Sequence, residues 1–423
     1  MLENPEERKK RREQERQKRA AAQKKLVLRL VLAAGILLGC GILILTISLS
    51  AGKKDKTTPP KPAEVTEPGV SSPTTAQDTE NKTVIHFAAT GDLNVTQRVV
   101  ASGGAEYDYT KTFMDVAPVL ASADLATVNL EGDLCGAPYG SNGTAPQTMA
   151  QALRSAGVDM IQLANSYAIN RGISGLMTTI DSVKQAGMEP VGVFADDEQF
   201  ESKRGFSLFQ VQGVRVAVVA FTKGMDGTAL VPGYENCVNI LYTDYSTTYQ
   251  KIDKNKIGQV MEAVQAQKPD ITIALLHWGS ELNDNISDSQ ESICQLLQSY
   301  GTDAIIGTHP HFVQKIDFDS ENGTLVAYSL GDFIGDIPEA GTEYSIILDL
   351  EITKDHETGE STITNYSYTP IFTVAAENQP LRVLRIREAM AAYEEGYMDA
   401  VSEETYKAMQ NALERIEDRI AGE

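Results

Sequence analysis

From Thr83 onward, apolar runs of strand length alternate with stretches whose apolar residues recur at helical spacing. The runs predict strands at Val84–Ala89, Leu125–Asn129, Met160–Ala164, Pro190–Phe194, Phe206–Val211, Val214–Phe221, Ile271–Leu276 and Ala304–Ile306. Between them the helical pattern covers Tyr109–Ala121, Gln147–Ala156, Gly175–Ala186, Lys256–Ala266 and Asp288–Tyr300. The chain then turns strand-rich, at Phe312–Phe318, Thr324–Ser329, Ser345–Ile352 and Thr362–Thr373, with Asn322-Gly323 as a hairpin signal. A helix-alternating first half and a strand-rich second half predict an α/β fold, a layered sandwich of two sheets flanked by helices. Leu381 to Ile420 reads as one or two helices, with Ala389, Met390, Tyr393 and Tyr397 at helical spacing.

The amino-terminal pattern is of another kind. Leu26 to Ser50 is almost unbroken apolar sequence with Arg29 as its single charge, long enough for a hydrocarbon core of ~30 Å. Ten Lys and Arg residues precede it, against Lys53, Lys54 and Lys56 just after. That asymmetry predicts a single-pass signal anchor in the cell membrane, with the amino terminus cytoplasmic and the body outside. Leu37-Leu38-Gly39-Cys40 offers the rival reading of a lipoprotein signal, but Gly41 to Leu49 stays apolar, as a spanning helix does. The expected organisation is a basic tail at 1–25, a transmembrane anchor at 26–50 and a linker at 51–82. A main domain at 83–380 and a helical extension at 381–423 complete it. The linker is rich in Pro, Thr, Ser, Glu and Lys and has too few large apolar residues for a core.

Charge and cysteine narrow the function. After residue 50 the chain has 26 basic and 53 acidic side chains, a balance of −27. Such a body repels phosphate backbones, which argues against nucleic acid as a partner. Cys40 lies in the apolar span, and Cys135, Cys237 and Cys294 are scattered without a C-x-x-C pair, so neither a disulfide framework nor a thiolate zinc site is indicated.

The chemistry gathers at strand ends. Of only five histidines, His277 closes one apolar run, and His309 and His311 follow another in Gly307-Thr308-His309-Pro310-His311. Asp92, Glu131 and the Asn165-Ser166 pair fall just after three earlier strands. Open α/β sheets collect ligands at the carboxyl ends of their strands. Carboxylates, imidazoles and a carboxamide suit a borderline divalent ion such as manganese, iron or zinc. Taken singly, Asp92 reads as a turn residue, Glu131 as a surface acid and His277 as a core histidine. The coincidence of all five pieces favours a metal site. His86 and His356 read as structural or solvent-exposed.

Six blocks together resemble the bacterial CapA family of capsule and poly-γ-glutamate synthesis. They are Thr90-Gly91-Asp92-Leu93, Val128-Asn129-Leu130-Glu131, Leu163-Ala164-Asn165, His277-Trp278-Gly279-Ser280-Glu281-Leu282, Gly307 to Gln314, and Tyr328-Ser329-Leu330-Gly331-Asp332-Phe333. The resemblance implies a calcineurin-like metallophosphoesterase fold and a site for two divalent ions. It assigns Asp92 and His311 to one ion, His277 and His309 to the other, and Glu131 to a bridge between them. It also implies a capsule or poly-γ-glutamate polymer and membrane synthesis or export proteins as partners.

One block departs from the family. Its usual Leu-Ala-Asn-Asn-His-x-x-Asp-x-Gly here reads Leu163-Ala164-Asn165-Ser166-Tyr167-Ala168-Ile169-Asn170-Arg171-Gly172. The resemblance makes Asn165 and Ser166 the ligand positions, and makes Tyr167 and Asn170 stand where a catalytic His and its supporting Asp would be. Asp332 likewise stands where the family usually has Asn. A phenol of pKa ~10 is a poor proton shuttle at neutral pH, and a lost general acid costs ~10²–10⁴ in rate. Two functions follow: an anchored extracellular metallohydrolase with an impaired site, or a non-catalytic polymer-binding or scaffold component of a membrane synthesis complex.

Overall fold

The computed structural model describes residues 81–422, apart from 338, 375–379 and 399. The basic tail, the apolar span at 26–50 and nearly all of the 51–82 linker lie outside the described residues. Among the described residues no helix is long and apolar enough to cross a membrane.

Two sheets form the body. The strands are β1 (Lys82–Asn94), β2 (Leu125–Glu131), β3 (Met160–Gln162), β4 (Glu189–Val191), β5 (Ser207–Val211), β6 (Val214–Thr222) and β7 (Ile271–His277). After these come β8 (Ala304–Thr308), β9 (Ile316–Asp319), β10 (Thr324–Ala327), β11 (Asp332–Ile334), β12 (Tyr344–Asp355), β13 (Ser361–Val374) and β14 (Arg382–Arg385). The first sheet runs β14-β13-β12-β1-β2-β3-β4, with β11 also paired to β1, and the second runs β5-β6-β7-β8-β10-β9. Strands β1 to β4 are mutually parallel, as are β6, β7, β8 and β10, so each sheet sends several strand ends to one edge.

Alternation along the second sheet sorts its side chains. Val214, Val216, Val218, Ile271, Ile273, Leu275 and Ile306 join the core shared with the first sheet. Their neighbours Ala217, Val219, Phe221, Ala274, Leu276 and Ile305 pack instead against Ile257, Val260 and Met261 of helix Lys254–Ala266 and Ile293 and Leu297 of helix Asp288–Ser299. The period-2 pleat thus gives one strand two apolar faces, one per layer. This is the two-sheet, helix-flanked α/β sandwich that the pattern predicts.

Three local expectations differ from the structure. The stretch Tyr109–Ala121 is two short helices, Thr110–Phe113 and Ala117–Leu120, with Pro118 in the first turn of the second, where its missing N–H costs nothing. The strand expected from Phe312 starts only at Ile316. Finally, the carboxy-terminal segment opens as a strand. Arg382–Arg385 pairs antiparallel with β13, and Arg382 forms a forked salt bridge to Asp115 at 2.8–3.1 Å. Helices Ile386–Glu394 and Glu403–Ala421 follow, and the second buries Met409, Ala412, Ile416 and Ile420 in the main core.

Candidate metal centre

The first sheet presents its carboxylates where its strands end. Asp92 lies in β1 after a break in register at Thr90-Gly91, Glu131 closes β2, and Asp332 opens β11, in register with Asp92. The break depends on Gly91: a Cβ there would sit 1.7 Å from the carbonyl oxygen of Gly331. That same carbonyl accepts the Asp92 amide at 3.0 Å.

The second sheet supplies imidazoles. His277 closes β7, and His309 and His311 follow β8. His309 (φ 96°) and His311 (φ 62°) both occupy the left-handed half of backbone space, which non-glycine residues rarely adopt. Strain of this kind survives only where surroundings over-determine it, and it clusters at functional sites.

The two sets interleave into two triads. Glu131, His277 and His309 offer ligand atoms within 4.8 Å of one another, and so do Asp92, His311 and Asp332. All but His311 are buried. Asn129 links the triads: its Nδ2 donates to Asp92 Oδ1 at 2.6 Å and lies 3.3 Å from His277 Nδ1. The His309 amide donates to Asp92 Oδ2 at 2.8 Å, and His311 Nδ1 donates to Asp332 Oδ1 at 2.7 Å.

Burial sets the protonation states. It raises Asp92 to about 6, Glu131 well above the usual carboxylate range, with the Asp92 charge adding to the effect, and Asp332 upward. It also pushes His277 and His309 well below the usual imidazole value, keeping both neutral. His311 goes the other way: burial opposes its charge, but Asp332, Glu131 and Asp92 raise it to about 10. An imidazolium therefore serves as the counter-ion of the carboxylates. Glu131 Oε1 remains without a hydrogen bond although buried and 3.3 Å from His277 Nε2. A buried carboxyl oxygen without a hydrogen bond beside a neutral imidazole is a donor set that a divalent cation would complete.

The remaining residues singled out in the sequence fall around this core. Ser166 Oγ lies 3.1 Å from His277 Nε2, inside the cluster. Asn165 stands one layer behind and spends its whole amide on structure: Nδ2 donates to Asn129 Oδ1 and the Leu130 carbonyl, and Oδ1 accepts from the Tyr167 amide. Tyr167 is half-buried, and burial together with the Glu131 charge pushes its phenol up to about 12. Asn170 is exposed and donates to the carbonyl of Asn142. His86 pairs with Asp349 and His356 with Thr83, both away from the triads.

Three participants escape the sequence-derived site. Asp332 lies in one of the six blocks and completes a triad. Asn129 sits two residues before Glu131, on the same face of β2. Lys223 follows β6, and its Nζ donates to the Gly279 carbonyl at 2.8 Å and to His309 Nε2 at 3.1 Å. Its position at a strand end was the one available signal.

Residues 86–337 match the family of bacterial capsule synthesis proteins PGA_cap, a span that contains both triads and Lys223. The chain belongs to this family. Beyond the PGA_cap match, the chain is 26% identical over 248 residues to the capsule biosynthesis protein CapA of Bacillus anthracis, an overlap of 57% of this chain and 56% of that protein. It is 24% identical over 288 residues to the PGA biosynthesis protein CapA of Bacillus subtilis, covering 64% and 69%. The chain thus spans little more than half the length of the first of these relatives. Solved structures with a likeness to this PGA_cap member include a phosphatase from Mycoplasma pneumoniae, at TM-score 0.41 and 14% identity over 69% of this chain and 94% of that one. Another is a 5′-nucleotidase precursor from Thermus thermophilus, at TM-score 0.39 and 14% identity over 79% and 58%.

Proposed function

We propose that this PGA_cap member is a membrane-anchored surface protein of capsule or poly-γ-glutamate synthesis or export whose two triads hold divalent cations in a metallophosphoesterase-type site. The observation that carries the reading is the pairing of Glu131, His277 and His309 beside Asp92, His311 and Asp332 at facing strand ends. Manganese, iron and zinc all suit this mixture of carboxylate and imidazole. When bound, such ions supply Lewis acidity toward a phosphoester or amide oxygen and acidify a water.

The chain's own residues do the rest. Asn129 and the His309 amide fix Asp92, Asn165 fixes Asn129 and the Tyr167 turn, and Ser166 orients against His277. No neutral-pH proton donor stands at Tyr167, whose phenol is held near 12. The site therefore binds better than it turns over. That feature supports the second reading, a polymer-binding or organising component of a membrane synthesis complex.

The apolar span Leu26–Ser50 and its basic flank support a single-pass anchor with the body outside the cell. Protease treatment of intact cells removes the body and spares the tail if that reading holds.

The deciding experiment uses the full-length chain in detergent. Bound manganese is counted, and hydrolysis of a generic phosphodiester is followed for the parent and His309→Ala, alongside polymer export by cells carrying each. Ion binding with export lost in His309→Ala supports the metal-dependent reading. A chain that binds no divalent ion, and a variant that exports normally, defeat it. Ion binding and export without hydrolysis favour the organising role.

A further inference from the structure

A cavity of about 360 Å³ opens where helix Glu403–Ala421 meets the segment that follows the histidine turn. Its lining includes Asp284, Gln314, Lys315 and Arg419. None of these belongs to either triad, and Arg419 lies beyond the span that the PGA_cap family matches. The volume falls at the small end of ligand-sized pockets.

Two of the lining side chains hold a polar atom without a partner. Gln314, only 2% exposed, donates its Nε2 to the carbonyls of Asn283 at 3.0 Å and Asn285 at 3.5 Å. Those bonds fix which end of the amide is which, and they leave Oε1 buried with no donor. Arg419 lays its guanidinium over the Phe312 ring, 4.6 Å from the centroid, and its Nη1 is likewise buried without a hydrogen bond. Its Nη2 reaches Asp284 only at 3.5 Å, and that carboxylate is 56% exposed. So long and open an ion pair contributes little and yields readily to a competing acid.

The cavity therefore lacks one hydrogen-bond donor, for Gln314, and one acceptor, for Arg419. A carboxylate meets the second need, because its two oxygens match the guanidinium fork. A secondary amide N–H meets the first. A phosphate offers acceptors and leaves Gln314 Oε1 unpaired, while a metal ion would face the Arg419 charge. We propose that this cavity is a subsite for an acidic polyamide, taking a carboxylate on Arg419 in place of Asp284 and a neighbouring amide N–H on Gln314. The inference rests on the polymer named above, and not on the metal. Gln314 follows His311 by three residues, so their Cα atoms are at most roughly 11 Å apart and one polymer chain can reach from the cavity to the centre.

The test is calorimetric titration of the full-length chain in detergent with a γ-linked glutamate decamer, with and without manganese. Polyacrylate of matched charge and inorganic tripolyphosphate serve as anions without amides. The decamer should bind the parent at least about tenfold more tightly than either, and Arg419→Met should weaken it by at least about tenfold. Asp284→Asn, an exposed change that removes the competing carboxylate, should tighten the decamer by about threefold or more. That variant decides the matter if Arg419→Met fails to fold. Polyacrylate bound as tightly as the decamer, no decamer binding, or an affinity unmoved in either variant overturns the subsite. A parent that holds the decamer through Arg419 yet binds no manganese supports the subsite and defeats the metal reading alone. Manganese binding without decamer binding does the reverse.

Discussion

The main-chain amide of His309 donates to Oδ2 of Asp92 at 2.8 Å, so a backbone group from one triad holds a carboxylate of the other. Oδ1 of the same carboxylate accepts from Asn129 at 2.6 Å. Asp92 is therefore a structural acceptor as well as a ligand. Asp92→Ala leaves two buried donors unpaired and should cost about 2–4 kcal/mol of unfolding free energy. Asp92→Asn keeps one bond and should cost about half as much. Urea unfolding measures both. An Asp92→Ala protein as stable as the parent contradicts this account.

Metal affinity should rise with pH. In the metal-free protein Asp92 holds its proton up to about 6 and His311 up to about 10, burial and the Asp92 charge raise Glu131 well above the usual carboxylate range, and a cation must displace those protons. Between pH ~5.5 and ~7.5 the manganese affinity should increase by at least about tenfold. Titrations in two buffers of different ionisation enthalpy would show the released protons, and a flat profile would contradict the assignment. The metal-free fold shifts oppositely. A carboxyl raised to about 6 contributes stability that is complete below its unfolded value of ~4 and is lost as pH rises through about 6.

Tyr167→His should raise phosphodiester hydrolysis in manganese by about tenfold or more, since an imidazole titrates near neutrality and the phenol, held near 12, does not. Asn170 would not support the new ring, because its amide is exposed and committed to Asn142. Unchanged kcat in Tyr167→His would mean that proton donation is not what the site lacks.

Gly307 precedes the histidine turn, and a Cβ there would lie 2.0 Å from the Tyr328 carbonyl oxygen and 2.3 Å from Trp278 Nε1. Those two atoms bond each other at 2.9 Å. Gly307→Ala should break that bond and cost about 3 kcal/mol or more, with both triads weakened together. Loss of metal affinity without loss of stability would separate the turn from the core.

The sequence made the strand ends legible because apolar runs stop where polar ligands begin, as at Leu276-His277 and Ile306-Gly307-Thr308-His309. Spacing alone does not show which ligands share a triad, because that follows from how two sheets face each other; the family resemblance is what sets Asp92 with His311 and His277 with His309. Asp332 stood in a recognised block without a role because β11, three residues long, has no apolar pattern of its own, and its pairing with β1 is tertiary. Lys223 was invisible for the same reason: a lysine after a strand ordinarily reaches solvent, and nothing local says that this one turns to a histidine 86 residues away. The strand at Arg382–Arg385 hid inside a helical period, since Leu381, Leu384 and Ile386 fit either repeat and pairing with β13 decided the matter.

All three carboxylates of the centre come from the first sheet and all three imidazoles from the second. Neither sheet alone owns a triad. An ion in either one is therefore a rivet through the sandwich, tying segments as far apart in the chain as Asp92 and His311 and shortening the loops available to the unfolding protein. Occupancy of the centre would then couple the two layers, so that an ion held at a few side chains resists the unfolding of the whole body.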